Sequence, residues 1–343
     1  MTSRQSRQVP VELLRILGVI AIVAGHVWDN QFTREAIYTW HVPVFFVLTG
    51  YFWKRKDPQG VSTSAYIRTR ARRLLVPYGM WLVLIAVPFV AVLTVRDSHF
   101  PIDTIGRMLW GGAAIGRPFS AFWFVTALFF AVLLLRAMRR FPGRVSWVVA
   151  IAAVTVAYVT DGALAKVPLS FGVAVPALIF ILAGAAFRSL RSSVKPAPLV
   201  AVVLIGASAA AVITGLSRPL DLKQADFGTP VLSVLVAVAI SFGLIVLAET
   251  VVAWTGRAAD WTLQLAAGGF MVVLSHAAIL WLLDTPPTGR WIDFAVALLL
   301  PWGAALVLRY TAVSPYLLGV DRICRQRPTT PPASDRNRFE DSI

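Results

Sequence analysis

Ten stretches of mostly apolar residues, separated by short polar or Pro- and Gly-bearing segments, recur along this 343-residue chain. They are Val11–Trp28, Tyr38–Trp53, Leu74–Val95, Ala121–Leu135, Val145–Val159, Phe171–Phe187, Pro198–Gly215, Pro230–Trp254, Thr262–Leu283 and Trp291–Tyr310. A hydrocarbon core about 30 Å thick needs about 20 such residues per helix. Apolar residues make up 57% of the chain and charged ones 14%, against about 45–50% and about 25% in soluble domains. A water-soluble globule of this length has nothing against which to bury that much apolar surface, so lipid is the solvent. The expected fold is all-α: a polytopic membrane bundle of about ten transmembrane helices over residues 1–311, followed by a cytoplasmic, polar, disordered tail over 312–343. Pro43 and Pro176 interrupt two spans, which is tolerated where neighbours or a cavity satisfy the freed backbone groups. The stretch Met108–Ile115 leaves room for an extra re-entrant segment. A disulfide scaffold is excluded, because Cys324 in the tail is the one cysteine; it reads as an ordinary cytoplasmic thiol.

The net charge of +15 would suggest nucleic acid in a soluble protein, but its placement gives another cause. With a cytoplasmic N-terminus, 23 of the 32 Lys and Arg residues fall in inner segments and eight in outer loops, with Arg15 inside the first span. That is the positive-inside bias, and it puts both termini in the cytoplasm. The expected location is the cell membrane, multi-pass, with membrane lipid as a partner and no nucleic acid. Arg4 and Arg7 before an apolar stretch resemble a signal peptide. Glu12 and Arg15 within that stretch, the absence of a small-residue cleavage site and the spans that follow point instead to a retained helix. No internal repeat is evident.

Ionisable residues at membrane depth cost free energy unless paired or wetted, so they mark function. Arg15 and His26 are eleven positions apart, which at 100° per residue returns to within about 20° of the same helix face, about 16.5 Å further along the axis. Glu12, three before Arg15, can pair with it on that face. Either the pair anchors at the headgroups while His26 closes a helix end, or one polar stripe runs from the cytoplasmic mouth towards an imidazole near the outer side. His41, early in the second span, lies at a depth close to that of His26. It is either a buried imidazole bonded to a backbone carbonyl or a second proton-transfer group.

The densest basic segment, KRKDPQGVSTSAYIRTRARRLLVPY, precedes the third span. Anchoring to anionic lipid accounts for some of its residues. Arg70 and Arg73, three apart, share one face of the entering helix, and paired guanidinium forks suit phosphate oxygens. Trp123 in PFSAFWFVTALFF reads as part of an interfacial aromatic belt. His276 in MVVLSHAAILWLL is an intramembrane histidine, either a functional candidate or one that Ser275 satisfies, and His99 reads as a solvated loop residue. No set of His, Cys and carboxylates has metal-ligand spacing, so no metal is expected.

In order and spacing these motifs resemble the membrane-bound acyltransferase-3 family, which includes bacterial sugar O-acetyltransferases. VELLRILGVIAIVAGHVW is similar to the family's opening helix, with Glu12, Arg15 and His26 on its acidic residue, arginine and histidine. WHVPVFFVLTGYFW resembles the second helix of the fucose 4-O-acetylase-like branch, with His41 on the histidine. Arg70 and Arg73 before RLLVPY match the family's R-x-x-R, and Trp123 in FWFVTALFF matches its tryptophan. Around His276 the usual Tyr and Pro are missing.

The resemblance implies transfer of an acyl group, expected to be acetyl, from cytoplasmic acetyl-CoA to a hydroxyl of an extracytoplasmic or membrane-associated carbohydrate. In that scheme Arg70 and Arg73 hold CoA phosphates, Trp123 belongs with the cofactor residues, and His26 is the general base. Arg15, oriented by Glu12, binds the acyl-pantetheine arm or shapes the channel, and His41 orients the acceptor or shares proton transfer. The alternatives are a polysaccharide exporter or other multi-helix transporter, and a structural scaffold in which Arg15 and His26 tolerate replacement.

Overall fold

A computed structural model describes residues 9–53, 60–195, 197–251 and 256–323. Among the described residues every regular element longer than a bridge is helical. The longer helices are α1 (Val9–Val27), α2 (Pro43–Phe52), α3 (Thr63–Asp97), α4 (Ile102–Trp110), α5 (Phe122–Ala137), α6 (Gly143–Val159), α7 (Leu178–Leu190), α8 (Ala197–Ile213), α9 (Leu232–Val251), α10 (Arg257–Leu282) and α11 (Trp291–Leu308). Each of the ten apolar stretches overlaps one of them, and α4 is the eleventh. Six described helices are long and apolar enough to cross a membrane, and a seventh span arises if Pro168–Ala174 and Leu178–Leu190, bent by 48°, count as one. Pro176 sits at that bend. α6 and α8 are shorter apolar helices.

Pro43 explains why α2 is short. Having no N–H to give, proline is tolerated in the first turn of a helix, and Pro43 opens α2 there. Residues 31–42, partly inside the expected second span, form a helical turn capped by Asn30, a π-helical turn at Arg34–Tyr38, and a further turn that holds His41. α3 is the opposite case. Ser62 caps it by accepting from the Ala65 N–H at 3.2 Å, and its 35 residues give a rod about 52 Å long at 1.5 Å per residue. That is more than a bilayer core requires, so its basic first turns, with Arg70 and Arg73, project beyond the apolar part.

The stretch Met108–Ile115 comprises the end of α4, whose Met108 is buried while Ile102, Leu109 and Trp110 are exposed, then the turn Gly112–Ala114. Nine residues reach about 13.5 Å. α4 faces the second half of α3 across an apolar groove of 710 Å³. Of the tail predicted from 312 onward, residues 312–323 are described. Ser314–Leu317 forms a helical turn against α3, held by the Trp81 indole donating to Leu317 O at 3.0 Å. Cys324 and the remainder of the tail lie outside the described residues, as do Arg4, Arg7 and Lys54–Lys56.

α1 is central, packing against α2, α9, α10 and α11. α3 is peripheral, and most of its residues face outward, where lipid would lie. α2 and α7 approach backbone to backbone. A Cβ on Gly50 would lie 1.8 Å from Ile181 O, and one on Gly184 would lie 2.0 Å from Val47 O. Small residues permit such contacts between membrane helices, where dispersion rather than hydrophobic burial drives association. Two ends result: a basic end with the start of α3 and residues 309–323, and a far end where residues 28–42, 98–121, 214–231 and 283–290 gather.

Candidate active site

The stripe predicted on α1 exists, and it serves two cavities. Towards the basic end, Glu12, Arg15, Ile16 and Val19 line a cavity of 460 Å³ together with Phe45 and Thr49 of α2, Arg70 and Arg73 of α3, and apolar residues of α5 and α10. Towards the far end, Ile22 and His26 line a second cavity of 240 Å³ with Tyr38, His41 and Trp123. Phe124 and Val273 line both. They form the partition at mid-depth, with the Phe124 ring packed edge-on to Phe45 and Phe46 at 5.4 and 5.7 Å.

In the basic-end cavity Arg15 donates to Glu12 Oε1 at 2.6 Å, the i,i+3 pairing expected from the spacing. Arg70 and Arg73 are exposed at its mouth and make no ion pair with a described residue. Their guanidinium donors are therefore available to an anion. An adjoining groove of 270 Å³ shares Arg73, Gly319 and Val320 and adds Thr69, Arg72 and Tyr316. The walls beyond the mouth are apolar. Cations at an opening and hydrocarbon within suit a ligand with a phosphorylated head and a thin, largely apolar arm.

The far-end cavity is imidazole-rich. His26 and His41 both line it, as their matched depth predicted. The His41 Nδ1–H donates to Ile37 O at 2.9 Å, which leaves Nε2 as the free ring nitrogen. The ring that His26 meets is that of His276, tilted by 36° with centroids 5.1 Å apart. Ser275 does not satisfy His276, as its sequence position suggested; it donates to Met271 O at 2.8 Å. His276 Nδ1 lies 2.9 Å from Val272 O. A carbonyl can only accept, so Nδ1 carries the proton and Nε2 the lone pair. That Nε2 is buried without a protein partner. Trp123, expected among the cofactor residues, lines the histidine cavity rather than the one with Arg70 and Arg73. His99 is exposed near the end of α3 and donates to Asp97 O.

Several lining residues carried no mark in the sequence reading: Tyr38, Asp221, Lys223, Gln224 and the partition residue Phe124. Arg117 and Lys223 were counted only as outer charges. Arg117 donates to Thr285 O at 2.8 Å and, by a short bond, to His26 O, which ties the loop before α5 to the last turn of α1. Lys223 donates to Ile115 O at 2.6 Å. Burial pushes Lys223 below the usual lysine range, opposed by Asp221. It pushes Asp221 up, opposed by the Gln224 N–H and by Lys223. A signal was available: basic residues in outer loops are those the positive-inside bias leaves unexplained. Among the described residues no group of three His, Cys, Asp or Glu is arranged to hold a metal ion.

The family model described as an acyltransferase domain, acyltransferase-3, matches residues 10–310. The match runs from the first turn of α1 to just past the end of α11, and so includes the far-end cavity and all of the basic-end lining except Leu318, Gly319 and Val320. The chain belongs to this acyltransferase family. No curated protein and no solved structure matches it. The acyltransferase is a multi-pass helical membrane protein, and its central helix carries polar groups to both cavities.

Proposed function

We propose that the protein is an O-acetyltransferase of the cell membrane. It would take acetyl-CoA at the basic, cytoplasmic end and pass the acetyl group to a carbohydrate hydroxyl at the far end. The observation that carries this reading is the pair of cavities meeting at Phe124 and Val273, one with free guanidinium groups at its mouth and the other lined with imidazoles. Arg70 and Arg73 hold CoA phosphates, and Arg15, oriented by Glu12, lines the path of the pantetheine arm. The thioester carbon reaches the partition. His26 takes the proton of the acceptor hydroxyl as its oxygen forms the C–O bond. The C–S bond breaks, and the imidazolium returns that proton to the departing thiolate, so His26 ends neutral. His276 Nε2, which has no hydrogen-bond partner, would accept the second N–H of His26 once the acceptor is bound and so set which His26 nitrogen acts as base. Trp123 and His41 stand on the acceptor side. The family match, rather than the shape of the path, favours this reading over an exporter.

Binding of labelled acetyl-CoA to the purified full chain tests the donor half. Saturable binding that is lost in the Arg70→Ala/Arg73→Ala variant supports it; absence of binding by the folded protein, or undiminished binding by the variant, refutes it. His26→Ala should keep acetyl-CoA affinity and lose about 10²–10⁴-fold in turnover, the usual contribution of a general base.

A further inference from the structure

The loop between α8 and α9 was silent in sequence, yet it supplies three neighbouring polar side chains to the cavity that holds His26. It is a built element. Asp221 and Asp226 exchange backbone hydrogen bonds, each at 3.0 Å, around the turn Leu222–Gln224. Asp226 Oδ1 accepts from the Gly228 N–H at 2.8 Å, and Lys223 is anchored on Ile115 O. Leu222, Ala225 and Phe227 are buried beneath it. The loop thus presents Asp221, Lys223 and Gln224 to the cavity from a fixed frame.

We propose that this cavity is a binding site for a single neutral pyranose ring, with Asp221, Lys223 and Gln224 reading its hydroxyls and Tyr38 and Trp123 contacting its ring face. The proposal deepens the acyltransferase reading and rests on it. Three features point to this class of ligand. Size is the first: 240 Å³ falls below the about 300–1,000 Å³ of pockets for drug-sized ligands, which admits one ring and leaves further sugar units outside. Hydrogen-bonding capacity is the second. A carboxylate accepts, an ammonium donates and an amide does both, the mixture a polyol requires, while two aromatic side chains offer apolar surface to C–H groups. Charge is the third. Asp221 and Lys223 are of opposite sign. Arg117 is committed to two backbone carbonyls, and Arg34 is paired with Asp29 at 2.9 Å. Lys223 is the cation among the lining residues, and the Asp221 carboxylate presented beside it opposes a carboxylated or phosphorylated sugar. His26 opens on the same cavity, so a ring hydroxyl bound in it lies on the side of the base.

The test uses the full chain in lipid nanodiscs with labelled acetyl-CoA. The probes are methyl glycosides of neutral hexoses, methyl glycosides of hexuronic acids, and the corresponding disaccharides. Neutral monosaccharide glycosides should be acetylated in preference to both other groups. Asp221→Asn and Gln224→Ala should each raise the KM for them by about tenfold, the worth of one lost site hydrogen bond, and leave that for acetyl-CoA within about twofold. Preference for the uronic acids or the disaccharides, or an unchanged acceptor KM in both variants, overturns the proposal. So does a protein that binds acetyl-CoA yet acetylates none of the probes. Absence of acetyl-CoA binding in the wild type overturns the acyltransferase reading first, and the binding measurement separates that result from failure of the sugar site alone.

Discussion

His26 and His276 are 250 positions apart in the chain and 5.1 Å apart as rings. Their contact sets one buried imidazole against another. The Nε2 of His276 has no hydrogen-bond partner and so carries a desolvation cost until something donates to it, and the His26 ring lies tilted against it. On the proposed reading His26 donates to it during turnover, so replacing His276 with Phe should lower turnover by about tenfold or more, the effect of losing one buried acceptor at about 1–3 kcal/mol. His276→Asn, whose amide oxygen also accepts, should recover part of the loss. Acetyl-CoA binding by both variants serves as the control for folding. Equal turnover of the Phe and Asn variants would reduce His276 to packing. The Glu12–Arg15 pair is the contrasting case. Its three-residue spacing dictated the contact, and the structure returns it at 2.6 Å.

At the scale of elements, α2 and α7 are the pair that tolerates least change. Their backbones touch at Gly50 and Gly184, where an added Cβ would fall within 2.0 Å of a carbonyl oxygen on either side. Gly50→Ala and Gly184→Ala are each expected to force the helices apart at a cost of about 1–3 kcal/mol, visible as a lower Tm in detergent. Because α2 also carries Phe45 and Thr49 into the basic-end cavity, acetyl-CoA affinity should fall with it. An unchanged Tm in both variants would show that the helices part freely. The shortening of α2 was only partly legible in sequence. Pro43 marks a break, but a proline reports where a regular helix cannot run, not what replaces it. The turns at 31–42 that bring Tyr38 and His41 to the cavity follow from packing against α1.

For the whole molecule, the arrangement that matters is two cavities that meet. Phe124 and Val273 form the wall they share, the partition at which donor and acceptor come together in the proposed reaction. Phe124→Ala should weaken that partition. The expected result is faster hydrolysis of acetyl-CoA without acceptor, by severalfold, accompanied by less efficient transfer to sugar. A variant with wild-type hydrolysis would mean that the thioester does not reach this level. At the far end, Arg117→Met would remove the link between the loop before α5 and both His26 O and Thr285 O. Its predicted effect is a loss of turnover with acetyl-CoA binding intact, since its contacts lie across the partition from Arg70 and Arg73.

What the sequence alone determined is what depends on short range and on solvent. Apolar runs of bilayer length specify helices, because backbone groups in lipid must bond within their own segment. Three- and eleven-residue spacings on a helix place Glu12, Arg15 and His26 on one face, since the helical repeat is constant. Arg70 and Arg73 stand at the entering end of α3 for the same reason. What only the tertiary structure decided is which faces meet. Helices in lipid choose partners by close packing of small residues and by scattered polar contacts, information spread over residues far apart in the chain. Hence His276 meets His26, Trp123 turns to the histidine cavity, and the loop carrying Asp221, Lys223 and Gln224 closes over the far end. None of these follows from spacing, because each needs the order in which α1, α5, α9 and α10 surround one another.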